Sequence, residues 1–172
     1  MFKKFLLLAS AGLMAIGPAV AAEKVKIGFV TTITTPAGVI GKDMVDAVNL
    51  AMEDIGGKMA GLDVELIVED DGFKPAIGKQ KTDKLVKQDK VQFVTGFIWS
   101  HVLLASQKSA LGAGKFLISS NAGPSQMAGK LCHKNFFSTS WQNDQTPMAM
   151  GEVLNLNNVK SLYVMAPNYA AG

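Results

Sequence analysis

VQFVTGFIWSHVLLASQKSALGAGKFLISSNAGPS, residues Val91 to Ser125, decides the fold. The stretch opens on an apolar run, Val91 to Thr95, turns at Gly96, and continues as a helical pattern from Ser100 to about Ala113. A Gly-Ala-Gly break follows, then a second apolar run, Phe116 to Ser119. A parallel pair of strands joined by a helix is the βαβ unit, and its strands are continuous apolar runs because both faces are covered. The expected class is therefore α/β, an open, mainly parallel sheet flanked by helices on both faces. Both strands release into small or polar residues: Trp99, Ser100 and His101 after the first, Ser119, Ser120, Asn121, Ala122 and Gly123 after the second. Ligands of open α/β sheets bind outside the carboxyl ends of the strands. These two loops are accordingly read as one side of a small-molecule site.

Working outward, the pattern repeats on the amino-terminal side. Lys24 to Val30 suits a first strand, and Thr31 to Gly41 is a hydroxyl- and glycine-rich turn. Ile40, Met44, Ala47, Val48, Ala51 and Ile55 recur at helical spacing and predict one apolar helix face, ended by Gly56-Gly57. Leu62 to Val68 alternates as a strand, closed by Glu69-Asp70-Asp71-Gly72. Consecutive carboxylates on such a turn make local backbone hydrogen bonds more often than they do acid–base work. Pro75 opens a helix running to about Gln88. Its Lys79, Lys81, Lys84 and Lys87 could form a docking face for an acidic partner, or a solvated flank diluted by Asp83 and Asp89.

Beyond the central stretch, Phe136 to Thr139 reads as a short strand and Ser140 to Asp144 as a polar connector. Gln145 to Asn155 is expected to be helical, with Pro147 in its first turn, and Ser161 to Met165 to be a buried strand. A strand with nothing after it to cover its apolar face is an unfinished unit. The expectation is that the chain is the front part of a longer protein.

At the other end, Lys3 and Lys4, the apolar run Phe5 to Ile16 and the exit Ala19-Val20-Ala21 have the form of a cleavable secretory signal, residues 1–22. Gly12, Gly17 and Pro18 break that run too early for a membrane span. Removing its two lysines lowers the formal net charge from +3 to about +1, which leaves no basic surface for nucleic acid. Cys132 is the only cysteine, so in an exported chain it is either a free thiol or half of a bond whose partner lies elsewhere.

Catalytic patterns are missing. There is no phosphate loop, no dinucleotide fingerprint and no nucleophile elbow, and His101 and His133 do not stand at metal-ligand spacing from each other or from Cys132. Ser100 beside His101 could be read as a nucleophile beside its base, but adjacent residues of a helix face apart. The expectation is a binding protein without metal or cofactor. Ser100 is instead placed as an N-cap. The amides after it could seat a carboxylate by hydrogen bonding and the helix dipole, or Ser100 could simply cap its own helix.

In order and spacing, the hydroxyl-rich first loop, EDD-G-x-x-P, TGFIWS and ISSNAGPS resemble the type I periplasmic solute-binding proteins, in particular the leucine/isoleucine/valine binders of ABC importers. The resemblance implies a two-lobed clamshell, of which residues 23–139 would be the first lobe, 140–144 a hinge crossing and 145–172 the start of the second lobe. It also implies a monomer in the periplasm that binds a branched-chain amino acid or a related small carboxylate and delivers it to a membrane permease. A sensory domain of the same fold is the alternative. The family pattern gives the carboxylate to the residue matching Ser100, and the carboxylate and the ammonium to backbone groups at the positions matching Asn121 and Gly123, with Trp99, His101, Ser120 and Ala122 on the same loops. Gly123 stands where amino-acid binders commonly carry threonine, and Ile40 where they carry an aromatic. Trp99 and Phe73 occupy positions where some relatives have a disulfide, so an aromatic contact is expected to fasten the loops instead.

Overall fold

The computed structural model describes residues 23–171. The candidate signal segment lies outside them. Among the described residues no helix is long and apolar enough to cross a membrane.

Six strands form one sheet: β1 (Val25–Thr31), β2 (Lys58–Met59), β3 (Leu62–Asp70), β4 (Phe93–Gly96), β5 (Phe116–Ser119) and β6 (Phe136–Ser138). Their spatial order is β2-β3-β1-β4-β5-β6, and all neighbours are parallel except the edge pair β2 and β3. The helices are α1 (Gly38–Asp54), α2 (Pro75–Lys87), α3 (Ser100–Leu111), α4 (Ser125–Ala128) and α5 (Gln145–Leu156). The step from β1 to β3 runs one way across the sheet, whereas β3 to β4 and β4 to β5 run the other way. Right-handed crossovers then put α1 on one face and α2 with α3 on the opposite face. The expected α/β class and two-sided covering are what the chain adopts.

The core lies between the sheet and the α2–α3 pair, built from Val30, Leu85, Val94, Val102, Leu103, Leu117 and their neighbours. In α3, Val102, Leu103, Ser106, Gln107, Ala110 and Leu111 are buried, the i, i+1, i+4, i+5 recurrence of one helix face. Gly96 (φ +98°) is required where β4 ends, because a Cβ there would stand 2.3 Å from the Val30 carbonyl oxygen.

Three expectations are corrected. The apolar face of α1 is rotated: Met44, Val45, Val48 and Met52 turn inward, while Ile40, Ala47, Ala51 and Ile55 are exposed. The helix buries only what the sheet can cover, and Gly38 and Gly41 set its approach by lying against the carbonyls of Ile33 and Thr32. Ser161 to Met165 is not a strand, and Tyr163 and Met165 are 90% and 89% exposed. A strand needs a ladder partner, and no residue of this segment pairs with the sheet. The third correction concerns Ser100, which is the first residue of α3. Trp99 is the N-cap, with extended backbone and no side-chain cap bond.

The lysines of α2 are paired. Lys79 and Lys87 hold Asp83 at 2.6 and 3.0 Å, and their hydrogen bonds lower its carboxyl to about 2. Lys81 and Lys84 both reach Glu69, at 2.6 and 2.7 Å. This neutralised, solvated flank matches the plainer of the two readings.

Candidate functional site

The strands end in step at the carboxyl edge, and their loops are tied to one another beyond it. Phe97 N–H donates to the Val30 carbonyl (2.7 Å), Ser120 N–H to Gly96, Ala122 N–H to Phe97 (2.9 Å) and Asn143 N–H to Gly123 (2.8 Å). The loops after β1 and β4 part to opposite faces of the sheet, the switch point at which a crevice opens. Trp99 spans that crevice with an indole N–H bonded to Thr32 Oγ1 at 2.9 Å.

Beside it lies a cavity of about 430 Å³. Ile98, Ser100, Asn121 and Ala122 form its floor, Trp141, Asn143, Thr146 and Pro147 one wall, and Val164 to Pro167 with Tyr169 the other. The end of the segment expected to be a strand, Val164 and Met165, therefore lines the cavity. Ser100 is buried, and its Oγ accepts from Asn143 Nδ2 at 3.0 Å. The Ser100 hydroxyl proton is thus left to donate. Val102 and Leu103 N–H both reach the Trp99 carbonyl, so the Ser100 and His101 amides precede the first helical bond and remain the open donors of α3. Asn121 ties the two loops together through Nδ2 to the Ile98 carbonyl at 2.9 Å. Among the described residues no charged side chain lines the cavity.

The other candidate residues lie apart from this floor. Trp99 and His101 stand one layer outward, with rings 5.8 and 5.5 Å from that of Tyr169. His101 also packs on Phe73, with Nε2 3.4 Å from the Phe73 carbonyl oxygen. Its ring faces aromatic neighbours, and Ser100 bonds Asn143, so the two do not form a nucleophile–base pair. The Ser120 hydroxyl turns back to Thr95 Oγ1 at 3.2 Å. Gly123 lies against Trp141 and Gln142 and lines a second cavity of about 280 Å³ with Met127, Cys132, His133 and Trp141. A Cβ on Gly123 would stand 1.9 Å from the Trp141 carbonyl oxygen, so this chain has no room for the threonine hydroxyl. Ile40 is exposed at the start of α1 and lines neither cavity. Cys132 is an exposed free thiol. Among the described residues no three His, Cys, Asp or Glu gather where they could hold a metal.

Asp70 and Asp71 do the structural work expected of a turn pair. Asp70 accepts from Ile33 and Gly72 N–H and from Thr34 Oγ1, and Asp71 from Phe73 N–H and Thr32 Oγ1. Burial raises the Asp71 carboxyl above its ordinary range. Burial also acts upward on Asp70, but its Thr34, Ile33 and Gly72 hydrogen bonds outweigh this and lower it.

Reading the sequence did not single out Asn143, Thr146 or Tyr169 as site residues. Asn143 stood in the polar connector, and only the return of that connector across the strand ends brings it to Ser100.

The fold and this edge define a binding protein. The chain belongs to the periplasmic binding protein family, whose model matches residues 24–172. Among curated protein sequences none matches. An ABC transporter substrate-binding protein from Sphaerobacter thermophilus is 28% identical, with a TM-score of 0.70 over 78% of this chain and 37% of that one. A solute-binding protein of an ABC transporter from Rhodopseudomonas palustris BisB5, in complex with 3,4-dihydroxybenzoic acid, is 26% identical, with a TM-score of 0.80 over 87% of this chain and 40% of that one. The branched-chain amino acid transporter substrate-binding protein LivJ from Streptococcus pneumoniae, in complex with isoleucine, is 25% identical, with a TM-score of 0.69 over 79% and 39%. The chain thus spans about two-fifths of the length of these structures. These are substrate-binding proteins, in keeping with the expectation of a protein that is not an enzyme.

Proposed function

We propose that this chain supplies the ligand-holding lobe of the substrate-binding protein of an ABC importer, exported to the periplasm by residues 1–22 and acting as a monomer that docks on a membrane permease. Residues 23–139 are the first lobe, 140–144 the crossing and 145–172 the start of a second lobe that closes over the same cavity. The failure of α5 to bury any residue supports that division, since the packed body ends before it.

The ligand is a small carboxylate with an apolar body. The observation that carries this reading is the Ser100 hydroxyl, with the open amides of Ser100 and His101, on the floor of an otherwise uncharged cavity. Backbone donors at a helix start hold a carboxylate without a basic side chain. Of the branched-chain amino acids and the aromatic acids, the first lobe favours the aromatic acids, because Gly123 has no hydroxyl for an ammonium and no room to carry one.

Titration calorimetry with 3,4-dihydroxybenzoate and isoleucine tests the reading. The unaltered chain is expected to bind the benzoate more tightly, and Ser100→Ala to weaken that binding about tenfold, the order of one hydrogen bond to a charged group. Equal affinity in Ser100→Ala would move the carboxylate seat elsewhere.

A further inference from the structure

Thr32, the residue after β1, is fully buried and sits between two partners. It donates from Oγ1 to Asp71 Oδ1 at 2.5 Å and receives the Trp99 indole N–H at 2.9 Å. A hydroxyl has one proton and an indole nitrogen can only donate, so the direction is fixed from indole to hydroxyl to carboxylate. The same Asp71 Oδ1 accepts the Phe73 N–H at 2.8 Å, and the Phe73 ring packs edge to face on Trp99, centroids 4.7 Å apart. One carboxylate therefore holds Trp99 twice, through Thr32 and through Phe73. Asp71 is fully buried, and its Oδ2 has no partner among the described residues. An acid confined in this way costs more than a turn needs, since the turn requires only the Phe73 bond.

What Asp71 fixes is the start of α3. Trp99 is the N-cap whose carbonyl receives the first two helical bonds, from Val102 and Leu103. With its side chain anchored at Thr32, the direction of the Ser100 and His101 amides is anchored too.

We propose that Asp71 is a positioning residue of the carboxylate seat, acting through Thr32 on Trp99. This rests on the reading of the Ser100 edge as the ligand site. A residue that only closed its own turn would be indifferent to the Thr32 hydroxyl, and the isosteric change Thr32→Val separates the two roles.

The experiment uses ¹⁵N-labelled full chain with Thr32→Val, Thr32→Ser and Asp71→Asn, the Trp99 indole resonance being assigned with Trp99→Phe. It reads the position and solvent exchange of that resonance, and the calorimetric affinity for 3,4-dihydroxybenzoate and isoleucine. Thr32→Val is expected to shift the resonance, speed its exchange and weaken binding about three- to tenfold, the range of one net hydrogen bond. Thr32→Ser restores both, and Asp71→Asn, which keeps an acceptor oxygen, falls between. An unchanged indole resonance in Thr32→Val overturns the proposal, as does a shifted resonance with unchanged affinity. If the resonance responds as expected but the unaltered chain binds neither molecule, the relay to Trp99 is supported and the ligand reading is the part that fails.

Discussion

Phe73 meets Trp99 edge to face, with ring centroids 4.7 Å apart and planes at 89°. The contact joins the loop after β3 to the loop after β4 across β1, where the family resemblance led to an aromatic fastening in place of a disulfide. Phe73 holds this place from a left-handed backbone, φ +65°. A bulky residue there is strained, by about 1 kcal/mol or more.

That strain makes the ring's contribution measurable. Phe73→Ala removes the ring and keeps the strained backbone, whereas Phe73→Gly removes both. Urea unfolding should rank the unaltered chain first, Phe73→Gly next and Phe73→Ala last, each step about 1 kcal/mol. Alanine proving more stable than glycine would show that the left-handed turn is not retained.

Gly123 is packed against Trp141 and Gln142, within the proposed crossing, and its carbonyl receives the Asn143 N–H. Gly123→Ala puts a methyl group 1.9 Å from the Trp141 carbonyl oxygen, far inside a normal contact, so backbone has to move. Amide exchange at residues 141–143 should accelerate at least tenfold while the β1–β4 core keeps its protection. Gly123→Thr should loosen the crossing in the same way and gain no affinity for isoleucine. Unaltered exchange in both variants would place the crossing clear of Gly123.

Asn143 contributes a donor to Ser100 Oγ, which leaves the hydroxyl proton for a ligand. Asn143→Asp reverses the arrangement, because a carboxylate takes that proton and adds a negative charge beside the seat. Calorimetry with 3,4-dihydroxybenzoate should show a loss of more than tenfold for Asn143→Asp and a smaller loss for Asn143→Ala. Equal losses would mean that charge is not felt at Ser100.

Asp70 and Asp71 are neighbours that should titrate to opposite sides of the ordinary value of 3.8. Burial is the largest influence on both. At Asp71 it prevails, aided by the adjacent Asp70 charge and opposed by Thr32, Phe73 N–H and His101; at Asp70 the hydrogen bonds from Thr34, Ile33 and Gly72 prevail. Asp70 therefore contributes stability above pH 3.8 that is lost as pH falls through its lower folded value. Asp71 contributes most below 3.8 and loses that contribution as pH rises through its higher folded value. A carboxyl ¹³C titration of the folded chain should resolve one midpoint on each side. Two midpoints on the same side would contradict the buried setting of Asp71.

The sequence by itself determined the parallel sheet, the order of its elements and the edge where a ligand could sit. Continuous apolar runs such as Val91–Thr95 and Phe116–Ser119 have one stable use, and the turns at Gly56-Gly57, Gly96 and Pro75 are set by local backbone geometry that a short window contains. Asp70 and Asp71 were legible for the same reason, since an Asx turn closes within two residues. Tertiary structure alone decided which of the polar loop residues face the cavity. Ser100, Asn121 and Ala122 do, while Ser120 turns to Thr95 and Gly123 lies under Trp141, because bonds across 20 residues or more between neighbouring loops select the rotamers. It also decided that Ile40 is exposed and that Ser161 to Met165 is not a strand. Helix rotation and strand formation both depend on a partner surface, and apolar periodicity shows that a surface is wanted without showing whether another segment supplies it. The relay from Trp99 through Thr32 to Asp71 was invisible for the same reason: its members lie 67 and 39 positions apart, and only the parallel register of β3, β1 and β4 brings them to one point.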